Sequence, residues 1–171
     1  MKTICMLITL TGISLAFPAS AEDHDFLDMS RTRAACVIGL REHILPTAPP
    51  GDSTAKFMSE LAEGAAMTGA FYATMSMQEY IADTPDIVAS AKARSEQTFE
   101  SARSYLNAFD DWSVKSDMIM ERCMLHMGNQ KETLDLMRKK GTFDNSVQTE
   151  EAETYRWALG VSWPYWKELG N

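Results

Sequence analysis

"FMSELAEGAAMTGAFYATM", residues Phe57–Met75, is the stretch on which the reading of the fold turns. Phe57, Leu61, Ala65, Thr68, Tyr72 and Met75 step by three and four, which puts their side chains on one face of an α-helix. Ala62, Gly64, Ala66, Gly69, Ala70 and Ala73 fill the positions between. A glycine inside a helix costs about 1 kcal/mol against alanine, so Gly64 and Gly69 point to a second helix packed close against this backbone. "GDST" just upstream offers Asp52 or Ser53 as the N-cap.

The same periodicity extends in both directions. Phe26, Met29, Cys36, Leu40 and Ile44 mark a first helix over about 25–45, stopped by Pro46, Pro49 and Pro50. The second helix is expected over about 53–82, up to "DTPDIV", where Thr84 can cap, Pro85 suits the first helical position and Asp86 complements the dipole. A third, over about 85–111, carries Val88, Ala91, Ser95, Phe99, Ala102, Leu106 and Phe109 on one face. The serines and aspartates of "DDWSVKSD" close it. A fourth, over about 116–140, bears Ile119, Cys123, Met127, Leu134 and Met137 and ends at Gly141, placed as its C′ residue after "RKK". "GN" at 128 and 129 is an alternative break inside it. A short acidic helix over about 149–160 follows the polar connection "TFDNSVQ" and closes at Gly160, after which Pro164 turns the chain back. The expectation is an all-α protein: an up-down four-helix bundle with a short, aromatic-rich C-terminal appendage.

The first residues, "MKTICMLITLTGISLAFPASA", combine one lysine, an apolar run and small residues before Ala21. That is the pattern of a signal peptide over residues 1–21, leaving a single helical domain over 22–171. The run Thr3–Phe17 is too short to span a bilayer comfortably, and no later run is longer, so no membrane span is expected after cleavage. A periplasmic or secreted location follows, and the absence of an Asn-x-Ser/Thr sequon favours a bacterial envelope. A net charge of −8, which loss of Lys2 makes one more negative, disfavours nucleic acid and favours a basic partner. Cys5 leaves with the leader, so Cys36 and Cys123 are expected to pair in a disulfide.

Several side chains invite a functional reading. "ERCMLHMG", Glu121–Gly128, gathers a cysteine, a histidine and two methionines, yet none of the methionines lies three or four positions from His126. The stretch therefore reads as sulfur-rich core. In an antiparallel pair joined at Cys36 and Cys123, His43 falls level with Ser116, too far from His126 to share an ion. Cleavage after Ala21 would expose Glu22, Asp23 and His24 as an amino-terminal Cu(II) site, made of an amine, two amides and an imidazole in a square plane. Trp157, Trp163, Tyr165 and Trp166 crowd the C-terminal segment and are the candidates for a partner-binding surface. No H-E-x-x-H, G-x-S-x-G, C-x-x-C or phosphate-cradling loop is present, so no catalytic residues are assigned and no enzyme is expected.

These features describe an exported protein-binding module, in the manner of an acidic inhibitor or immunity protein acting on a basic envelope protein. The alternative is a small periplasmic carrier of copper or haem using methionine with His24, His43 or His126.

Overall fold

The computed structural model describes residues 21–77 and 86–169. Residues 1–20 of the expected leader lie outside the described residues, as do Thr84, Pro85 and the side chains of Glu22, Asp23 and His24. Six α-helices and no strand occur among the described residues: α1 (Ala21–Ile38), α2 (Ser53–Met75), α3 (Ile87–Asn107), α4 (Trp112–Gly128), α5 (Gln130–Lys139) and α6 (Glu150–Glu168). The chain is all-helical, with Cys36 and Cys123 joined in a disulfide that brings their Cα atoms to 4.9 Å.

The helix ends follow local chemistry. Asp52 caps α2 by accepting from the Thr54 N–H, and Asp111 caps α4 by accepting from Ser113 and Val114. Helix α3 is capped by Asp86, which accepts from the Ala89 N–H, so the aspartate expected to offer only charge supplies the cap itself. At the end of α5 the Gly141 N–H donates to the Arg138 carbonyl and the Thr142 N–H to that of Met137. Gly141 adopts the positive φ of 68° that this Schellman geometry needs. Helix α4 starts earlier than expected, at Trp112, because Asp111 captures its first donors. The expected fourth helix is two helices, divided at Asn129.

The C-terminal end of helix α1 is enclosed on every side. Every residue from Arg33 to Leu40 is buried, with α2, α3 and α4 packed around it. The sequence reason is "AACVIGL", Ala34–Leu40, an apolar run with no polar face to leave in water. Past Ile38 the helix widens into a π-helical segment, Gly39–Ile44, followed by a 3-10 turn, Leu45–Thr47. Ile119 of α4 occupies the place that a side chain at Gly39 would need, with its Cγ1 only 2.5 Å from a Cβ built there. The glycine thus sets how closely the two disulfide-linked helices approach.

The C-terminal element departs most from expectation. It is a full helix of 19 residues that runs through both Gly160 and Pro164, and it packs against α2 and α3. Proline inside a helix costs about 3 kcal/mol, because it removes a hydrogen bond and crowds the carbonyl four residues back, here Gly160. Tertiary contacts offset that cost. Trp166 is fully buried, edge-on to Phe99 with ring centroids 4.8 Å apart, and its indole N–H donates to Ser95 Oγ at 3.2 Å. A Cβ at Gly69 would collide with its six-membered ring, so this glycine is the close approach anticipated for α2. Arg41, from the π-helical segment, then donates to the Lys167 and Leu169 carbonyls, both at 2.8 Å, and closes the end of α6.

Candidate functional site

The inward face of α4 consists of Ile119, Cys123 and His126. Met124, Leu125 and Met127 point outward, and Met124 is 62% exposed, which corrects the reading of these methionines as core sulfur. Once the disulfide holds Cys123 inward, the next inward position is three residues on rather than four, so His126 and not Met127 enters the core. Phe57 and Val88, expected on inward faces, are exposed near the starts of α2 and α3.

His126 belongs to a polar core spanning four helices. Its Nδ1 lies 3.5 Å from Thr68 Oγ1, while its Nε2 faces Gly64 and has no hydrogen-bond partner. Arg33 of α1, only 1% exposed, stacks 4.6 Å over the Tyr72 ring. Its guanidinium donates to the Met29 carbonyl at 3.2 Å and to Thr133 Oγ1 at 3.4 Å. Tyr72 and Thr133 share a 2.8 Å hydrogen bond. No carboxylate pairs with Arg33 among the described residues. Burial alone lowers the pKa of Arg33, against a smaller opposing pull from Tyr72. Burial first, and the charge of Arg33 second, push the His126 imidazole down to about 4, so it is neutral at pH 7. This cluster ties α5 to α1 and α2 and is shut off from solvent. No arrangement of acidic or sulfur residues signalled Arg33, which sits in sequence beside "AACVIGL".

Among the described residues, no three His, Cys, Asp or Glu side chains gather as a metal-binding group. His43 lies beside Trp112, their ring centroids 6.5 Å apart, while Met29 packs with Phe71, Tyr72 and Met75. The copper candidates Glu22, Asp23 and His24 have no described side chains.

The four aromatic candidates do not form one surface. Trp166 is core, which corrects its assignment to a partner-binding face: opposite Gly69 there is room for its ring inside and none outside. Tyr165 is half-buried, with the Lys92 ammonium 6.0 Å over its ring. Trp163 lines a groove of about 240 Å³ together with Met67, Leu159, Gly160, Phe143 and the stem of Arg156. Trp157, one turn before Gly160, is 47% exposed.

Phe143 was not anticipated, because it sits in a connection that reads as polar. It is 50% exposed, and the loop carrying it is held tightly. Arg156 donates to the carbonyls of Gly141 (2.8 Å), Asp144 (3.0 Å) and Val147 (2.9 Å), and Asp144 accepts from the backbone and hydroxyl of Ser146. Those two bonds hold the Asp144 carboxyl below its ordinary pKa. Phe143 is thus an aromatic side chain half in water on a loop clamped by five hydrogen bonds. The signal available in the sequence was a phenylalanine two residues after a helix-ending glycine and outside every helical stripe.

Comparison of the chain with protein-family models, with curated proteins and with solved structures finds no match in any of the three.

Proposed function

We propose that this chain is an exported helical module that acts by binding a basic protein, and that the partner inserts an apolar side chain into the groove between Met67, Phe143, Leu159 and Trp163. The observation that carries the reading is the clamped yet half-exposed Phe143 lining an apolar groove, with Trp157 open on α6, the helix that supplies Leu159 and Trp163. Rigid aromatics supply large contact area at low ordering cost and are enriched where interfaces concentrate their energy. The loop and helix that line the groove also carry Asp144, Glu150, Glu151 and Glu153, all exposed, in a protein of net charge −8. That charge would steer a basic partner towards the groove. An inhibitor or immunity-type role and an envelope location belong to this proposal. The disulfide and the lack of any helix long and apolar enough to cross a membrane, among the described residues, agree with it. We infer as its frame an up-down order of α1–α4: Ser30 bonds to Gly69 across α1 and α2, while Cys36–Cys123 and His43–Trp112 run in opposite senses along α4 and along α1 with its π-helical continuation.

The test is capture of partners from an envelope extract by the immobilised protein, beside Phe143→Asp and Trp157→Ala chains. A basic protein retained in stoichiometric amount, released by raised salt and lost with either substitution, is the expected result. Retention that ignores both substitutions would remove the groove from the argument.

A further inference from the structure

A cleft of about 310 Å³ lies on another side of the molecule, where α1, α3 and α4 meet. Its floor is made by Ala35 and Ala102, both buried. Two guanidinium groups face it. Arg122 lies 4.9 Å over the Tyr105 ring and donates through Nη2 to the phenol oxygen at 3.0 Å. Arg31 donates through Nη1 to Asp28 at 3.1 Å, and its Nε, out of contact with water, has no partner. Asp28 is well exposed, so that ion pair is weak and easily rearranged. The Tyr105 hydroxyl spends its own proton on the sulfur of Met118 at 3.6 Å, a poor acceptor. Thr32 and Ser101 add two more hydroxyls.

Two cations and one carboxylate thus leave a local excess of positive charge in a strongly acidic protein. Guanidinium forks suit planar oxyanions, and each here retains donors that no described residue uses. We propose that this cleft is a binding site for a small organic carboxylate. The carboxylate group lies between Arg31 and Arg122 and takes the Tyr105 proton in place of Met118, while the apolar body rests on Ala35 and Ala102. A single negative charge balances the cleft, whereas a phosphate dianion would meet Asp28 with charge to spare. The volume stands at the small end of ligand pockets, which suits a compact molecule. The walls are rigid relative to one another, since Ala35 and Arg122 are the chain neighbours of the disulfide cysteines. The site shares no residue with the proposed protein-binding groove.

The test uses benzoate as the probe, with neutral benzamide and inorganic phosphate beside it, at constant ionic strength. Amide resonances are followed by NMR in the intact protein. Benzoate should shift Ala35, Ser101, Ala102 and Tyr105 saturably, and benzamide should not. Arg31→Gln and Arg122→Gln should each weaken binding by roughly tenfold or more. Arg122→Lys, which keeps the charge and loses the fork, should fall between. Shifts that never saturate, equal binding by the glutamine variants, or tighter occupation of the same residues by phosphate would each overturn the assignment. The wild-type shift map stands by itself if a variant folds poorly.

Discussion

Lowering the pH from 7 to 5 is the perturbation that addresses the buried polar core most directly. His126 has a folded pKa of about 4 against an ordinary 6.5, because burial and the Arg33 charge both disfavour a second cation there. Between those two values the unfolded chain binds a proton that the folded chain refuses. Stability is therefore full above about pH 6.5 and declines as the pH falls towards about 4. The whole shift corresponds to on the order of 3 kcal/mol, of which about 2 kcal/mol is lost by pH 5. That is a large share of the 5–15 kcal/mol that is usual for a domain. The assay is urea denaturation followed by circular dichroism at half-unit steps of pH and constant ionic strength, with the midpoint falling and the m-value unchanged. His126→Gln keeps a planar amide in the cavity and removes the titration. That chain should start less stable at pH 7 and show little slope between pH 6.5 and 5, where most carboxylates are still ionised. The same acid slope in both chains, or the assigned His126 imidazole seen by NMR to titrate near 6.5, would refute the reasoning.

Two further outcomes follow from the packing. The Cys36–Cys123 bond closes a loop spanning a sequence separation of 87 residues, worth about 4–5 kcal/mol in the chain-entropy model; reduction should lower the melting temperature sharply, a Cys36→Ser chain should melt like the reduced protein, and an unchanged melt would contradict the pairing. Gly69→Ala should cost on the order of 3 kcal/mol by forcing Trp166 off its seat, and much less in a Trp166→Leu chain; strictly additive losses in the four-member cycle would show that the two do not meet.

Much of the helical frame was legible because its signals are local. Asp52 and Gly141 act where the capping rules put them, and the disulfide follows from two cysteines left in a chain read as exported. What escaped was decided by distant partners. Pro164 looks like a stop when only its neighbours are considered, and the helix survives because Trp166 has Gly69 and Phe99 to pack against and Arg41 to close its end. The aromatic tail reads as one cluster along the chain, yet helical rotation sends Trp157, Trp163 and Trp166 to solvent, groove and core. Arg31 and Arg122 stand far apart in sequence, and only the meeting of three helices gives them a common cleft. Phe143 becomes a candidate only once Arg156 is seen to clamp its loop.

The enclosure of Arg33–Leu40 has a consequence for how the protein is made. This run emerges early during synthesis, yet the partners that shield it include α4, whose Cys123 lies 87 residues beyond Cys36. The run is thus made well before α4 can cover it, and in the interval "AACVIGL" is a sticky heptapeptide open to any other nascent copy. Refolding yield should then hinge on dilution and on how soon an oxidant can trap the returning Cys123, so speed of closure matters to this molecule as much as final stability.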